Sequence, residues 1–145
     1  MRYKVIIAVV LLISCACRKQ QGFVQEKNSN GFALRLQYMP DKDSGLLCFR
    51  LNIHNNDGMP MKNSDHFKFN YGLDSLFAFV NVADTLQPVD VIRVANGNIS
   101  GIEYLLLFNR PHAFSQVNCQ LIFKDWLFTN QVMTFPLIDS FNQPI

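Results

Sequence analysis

The sequence predicts an all-β fold, a sandwich of seven to nine short strands behind an N-terminal signal segment. Three observations lead there. From Phe32 onward, apolar residues recur with period two. Turn-forming residues interrupt that pattern roughly every 8–12 positions, the spacing of a sandwich. No segment beyond the first residues has a helical period. The 145 residues are a length for one domain, and 49% hydrophobic against 17% charged residues excludes a disordered chain. Thirteen Phe supply ample core.

In order, Phe32, Leu34, Leu36 and Tyr38 share one face of a first strand, with Arg35 and Gln37 on the other. Residues 39–45 carry turn chemistry. Leu47, Phe49, Leu51 and Ile53 alternate with Cys48, Arg50, Asn52 and His54 in a second strand, which Asn55, Asn56, Asp57 and Gly58 end because such residues tolerate positive φ. After a longer loop, Phe67, Phe69 and Tyr71 alternate with His66, Lys68 and Asn70. The apolar run 76–82 suits a central strand covered on both faces. Pro88 makes 89–95 an edge strand or one that starts after a bulge. Asn96, Gly97 and Asn98 form a turn into the strand of Tyr104, Leu106 and Phe108, which stops at Pro111. Val117, Cys119, Leu121 and Phe123 share the next inward face, 124–131 is a loop, and 132–138 is the last strand. The alternative architecture is a small barrel. The sandwich is immunoglobulin-like or transthyretin-like in architecture only, since Trp126 follows both Cys48 and Cys119 and does not lie between them.

The first residues read as an address. Met1, Arg2, Tyr3 and Lys4 are basic overall, and 5–13 is an unbroken apolar run. As helix that run spans about 14 Å, half of a ~30 Å hydrocarbon core, so a secretory signal is expected and not a membrane span. Leu12-Ile13-Ser14-Cys15 resembles the lipobox of bacterial lipoproteins, with an aliphatic residue at −3 and a small one at −1 before Cys. The resemblance implies cleavage before Cys15 and acylation of its thiol, and it points to the Bacteroidota. Cleavage before Cys17 is the competing reading, through Ser14 and Ala16. The expected organisation is therefore 1–14 signal peptide, 15–31 flexible lipidated tether, and 32–145 β-sandwich domain. Loss of Arg2 and Lys4 with the signal leaves eleven basic and eleven acidic residues, with no basic cluster longer than Arg18-Lys19. Nucleic-acid binding is accordingly not expected.

Chemistry-bearing residues are sparse. The phase of Cys48, beside Arg50 and Asn52, differs from that of Cys119, beside Leu121 and Phe123, so a partly exposed and a buried thiol are expected in place of a bridge. His54, His66 and His112 lack metal-ligand spacing, and 41–45 begins like a calcium loop without its remaining acids. Neither metal nor cofactor is expected. Nucleophile elbows, P-loops and dinucleotide fingerprints are absent, and Glu103 lies in a strand beside no evident partner. An enzyme is not expected. Asp74-Ser75-Leu76 and Asp84-Thr85-Leu86 resemble the sites at which Bacteroidota O-glycosylate exported proteins, which marks Ser75 and Thr85. Ala16 is not the Asp of inner-membrane retention, and the basic stretch after Cys15 favours the periplasmic leaflet of the outer membrane over the cell surface.

The expected function is that of a lipid-anchored module docking another envelope protein by β-edge pairing or loop contact. Candidate contacts are the 54–65 loop, the 96–101 turn, and Trp126 with Phe128. In size and class the chain is similar to the small lipoprotein that anchors type VI secretion complexes, which implies a secretion-system partner. The alternative is glycan binding with Trp126 as the stacking platform, although a small-molecule ligand is otherwise not expected.

Overall fold

The computed structural model describes residues 23–40, 45–60, 69–82, 84–111 and 118–137. Nine strands form two antiparallel sheets: β1 (Val24–Ser29), β2 (Phe32–Met39), β3 (Leu46–Asn55), β4 (Phe77–Asn81), β5 (Asp84–Leu86), β6 (Asp90–Val94), β7 (Gly101–Asn109), β8 (Gln120–Asp125) and β9 (Gln131–Pro136). One sheet has the order β1-β2-β3-β7-β6 and the other β5-β4-β8-β9. A single 3-10 turn (Leu73–Leu76) leads into β4. The sandwich class predicted from the alternation is the one observed.

The alternation sets the register. Leu36 lies opposite Leu51, which lies opposite Tyr104, and Tyr38 opposite Phe49, which lies opposite Leu106. All of these side chains turn inward and are buried. The facing sheet contributes Phe77, Phe79, Leu121, Phe123 and Phe135. Aromatic contacts join the layers: Phe49 to Phe79 at 6.2 Å, Phe79 to Phe108 at 5.9 Å, and Phe77 edge-on to Tyr104 at 6.3 Å. Within the second sheet Phe77 stacks on Phe123 at 4.8 Å. Each such ring contributes on the order of 3 kcal/mol or more, judged by the cost of truncation.

Four expectations need correction. Residues 24–29, expected in the tether, form β1, paired along its length with β2 through the two-residue turn Asn30 and Gly31. Both turn residues have positive φ (48° and 82°), as the tight hairpin that matches strand twist requires. The inward-pointing residues of β1 are polar because they meet the edge of β9 and not the core. Gln25 Nε2 donates to the Pro136 carbonyl and Lys27 Nζ to the Thr134 carbonyl. Ser29 Oγ donates to Gln131 Oε1 (2.6 Å), and the Lys27 ammonium sits 5.1 Å from the centre of the Phe135 ring. An edge strand is thereby covered by side chains where a further strand would otherwise pair.

The other corrections are local. Phe69 and Asn70 are in a turn and Tyr71 in a bend, because Gly72 in the left-handed region (φ 65°) breaks extended structure there. β8 starts at Gln120, since Asn118 is also left-handed (φ 67°), and a short strand, β5, forms at 84–86 where none is expected. Glu103 does have partners: Arg50 Nε lies 3.1 Å from Oε1, and Asn96 Nδ2 donates to Oε2 at 3.1 Å. Their sequence distance hid them. β6 is an edge strand, as the position of Pro88 predicts.

Candidate functional site

The antiparallel register brings five connections to one end of the sandwich. They are 30–31 between β1 and β2, the described residues 56–60 after β3, 69–76 before β4, 95–100 between β6 and β7, and 126–130 between β8 and β9. They are bonded into a ring. Asn55 N donates to Ser100 O and Asn56 N to Gly31 O, both at 2.9 Å. Asn30 Nδ2 donates to Thr129 O at 2.9 Å. Phe128 stacks on Phe69 at 5.3 Å with planes 3° apart, and Arg93 Nη1 donates to Asn70 Oδ1 at 3.3 Å, returning the ring to β6.

The 126–130 turn is built on Asp125. The alternation of β8 points this residue inward at the strand's last position, where it is fully buried. Its Oδ1 accepts from the backbone N–H groups of Leu127 and Phe128, each at 3.0 Å. Its Oδ2 accepts from Thr129 N at 2.8 Å and from Thr129 Oγ1 at 2.6 Å. Four donors around one carboxylate satisfy a buried anion and fix the path of the turn. Asn130, at φ 55°, returns the chain to β9.

Trp126 and Phe128, taken together from the sequence, have different positions. Phe128 is half-buried between Phe69 and Phe32, whose ring centre is 5.6 Å away, so it is packing for the turn. Trp126 stands out of the same turn and is exposed. Met59, Tyr71 and Ile99 project from three other connections of the ring, and these four side chains are between 60% and 71% exposed. Tyr71 was not singled out by sequence, because its place at this end depends on the pairing of distant strands.

The two Asn-rich loops hold themselves. Asn55 Oδ1 accepts from Asp57 N, Asn96 Oδ1 from Asn98 N, and Asn98 Oδ1 from both Ser100 N and Ser100 Oγ, all at 3.0 Å. A side chain at Gly101 would come within 2.7 Å of the Asn98 amide and 3.0 Å of the Ile53 carbonyl, so the close approach of this loop requires glycine. His54 Nδ1 lies 3.4 Å from Ser100 Oγ. Because that hydroxyl donates to Asn98, the polarity of the contact is opposite to the one that activates a serine nucleophile. It staples the loop to β3.

The remaining sequence candidates are scattered. Thr85 is exposed on edge strand β5, and Ser75 is exposed on the 3-10 turn, where its hydroxyl donates to Gly72 O at 2.9 Å. Cys48 and Cys119 are unbridged thiols, one half-buried on the outer face and one buried within, as strand phase predicts. Cys119 Sγ donates to Asn81 Oδ1 at 3.4 Å, and burial pushes its pKa up. Cys15, Cys17, His66, His112 and Asp65 lie outside the described residues. Among the described residues no cluster of His, Cys, Asp and Glu is placed to hold a metal, and no helix is long and apolar enough to cross a membrane. Comparison with protein families, with curated proteins and with solved structures finds no match to this chain.

Proposed function

We propose that the chain is a lipoprotein anchored in the outer membrane through Cys15, facing the periplasm, and that its sandwich docks another protein of the envelope. The lipobox-like Leu12-Ile13-Ser14-Cys15 supports the anchor. The observation that carries the docking role is the Asp125-held turn, which spends four hydrogen bonds on presenting an exposed indole. An exposed tryptophan on a pre-organised turn is a typical anchor for protein association, because little conformational freedom is lost when it is buried.

Two measurements test this. Globomycin treatment or Cys15→Ala is expected to block processing and release the protein from the membrane fraction; unchanged processing and fractionation would refute the anchor. A tagged full-length chain recovered from detergent-solubilised membranes is expected to carry one stoichiometric protein partner, a secretion-system component being the specific expectation. Recovery of the chain alone, with glycan-array binding that is lost in Trp126→Ala, would replace the docking role by glycan binding. O-glycosylation at Ser75 and Thr85 is proposed as an accompanying modification, read as an intact-mass shift that Ser75→Ala or Thr85→Ala removes.

A further inference from the structure

We infer that the docking face is the ring of connections, that it points away from the anchoring membrane, and that its occupant is a protein surface with an apolar recess rimmed by neutral or basic groups. This inference rests on the anchored docking role proposed above. The direction follows from where the chain enters. Val24 pairs with Gln37 near the end of β2, and Tyr38 N donates to Phe23 O, so residues preceding Phe23 join the sandwich at the end opposite the ring. Residues 15–22 can span at most about 28 Å. The ten residues of β3 extend about 34 Å. With Cys15 at the membrane surface, the tether is too short to double back along the sandwich and lay the ring on the same leaflet.

The chemistry of the ring selects the occupant. Met59, Tyr71, Ile99 and Trp126 are its large exposed side chains. The only charged residues in the described part of the five connections are Asp57 and Asp74. Two acids and no base are wrong for an anionic lipid surface or a nucleic acid. Met59 and Ile99 offer no flat face for stacking on a sugar. Several of the amides in the ring, those of Asn30, Asn55, Asn96 and Asn98 among them, are already engaged in bonds within it. What remains is an apolar surface held by backbone bonds between loops, with an aromatic anchor and a weakly acidic fringe, which fits the core-and-rim layout of a protein interface.

The test places the photoreactive residue benzoyl-phenylalanine at Ile99 or Tyr71 in the full-length chain in its own membrane. Val24 and Val82, apolar residues at the entry end, serve as controls, Val82 being 66% exposed and so matched to the ring. Trp126 is the chain's single tryptophan, so the emission of the purified full-length protein reports this one indole. Supporting the inference, one protein is captured from both Ile99 and Tyr71 and not from Val82. When purified, that protein shifts the Trp126 emission to the blue, and Trp126→Ala weakens its binding at least ~30-fold at unchanged thermal stability. Protein adducts only from Val24 or Val82 would overturn the choice of face and leave the docking role standing. Adducts from Ile99 and Tyr71 that contain only lipid or carbohydrate would overturn the choice of partner, as would full binding by Trp126→Ala. No protein adduct from any position would overturn the docking role as well.

Discussion

Replacing Asp125 by Ala removes every bond that holds the Trp126 turn, and its cost can be worked out from the contacts. The buried Thr129 N–H loses a charged acceptor where water has little access, worth about 2 kcal/mol. The Leu127 and Phe128 N–H groups are only partly buried and recover some hydration, so about 1 kcal/mol together is reasonable. The Thr129 hydroxyl adds roughly another 0.5–1 kcal/mol. Against this stands the relief of no longer burying a carboxylate, so the sum is taken as about 3 kcal/mol and not higher. For a domain of roughly 115 residues that corresponds to a fall in Tm of about 12 °C. Asp125→Asn separates geometry from charge. Its carbonyl oxygen can still accept from Leu127 and Phe128, but its NH2 faces the Thr129 donors, so about half the loss is expected. Urea unfolding followed both by circular dichroism and by Trp126 emission measures it, with the midpoint moving and the slope unchanged. A loss below about 1 kcal/mol for Asp125→Ala would refute the assignment of the turn's rigidity to this residue.

Three further outcomes are expected. Tyr104, pushed up by burial, and Cys119, pushed up by burial, stay protonated in the folded chain above their ordinary values of 10.0 and 9.0. The unfolded chain then gives up protons that the folded one keeps, so stability is level below pH 9 and falls as pH rises beyond it; equilibrium unfolding across pH 8–11 checks this, and a rise in stability would contradict it. Lys27→Ala removes the donor to Thr134 O and the cation over Phe135, and hydrogen exchange of the β1 amides is expected to quicken about 10-fold while the core β3 and β7 amides change less. Equal acceleration in both would show that β1 opens only with the whole domain. Alkylation followed by peptide mapping is expected to label Cys48 in the native protein and Cys119 only on unfolding, and equal native labelling would contradict the buried position of Cys119.

The strands legible in the sequence were those with one face in the core. Leu34, Leu36 and Tyr38, or Tyr104, Leu106 and Phe108, announce themselves because burial demands an apolar residue at every second position. β1 was illegible for the converse reason: Gln25, Lys27 and Ser29 face backbone carbonyls and a side-chain amide of another strand, and polar residues are what such a surface needs. The signal that could have found it was Asn30-Gly31, a hairpin dipeptide adjoining the first clear strand. The site was legible only in fragments. Trp126 stood out as a bulky residue in a connection, but Asp125 looked like an ordinary turn residue until its burial and four donors were seen. That Ile99, Met59 and Tyr71 share an end with it follows from strand pairing, which local pattern does not encode.

The placement of β1 also fixes how the domain responds to load. The chain enters at Phe23, on the far side from the ring, and β1 runs the length of its hairpin before turning back at Asn30 and Gly31. Tension applied between the entry point and a partner held at the ring runs along the strand axes. The β1–β2 ladder and the side-chain bonds to β9 are then strained together in shear, and no end is presented from which they could be peeled one at a time. Pulling from any point at the entry end would load them singly. A strand fastened by polar contacts alone is thereby placed where the pulling direction recruits all of its fastenings at once.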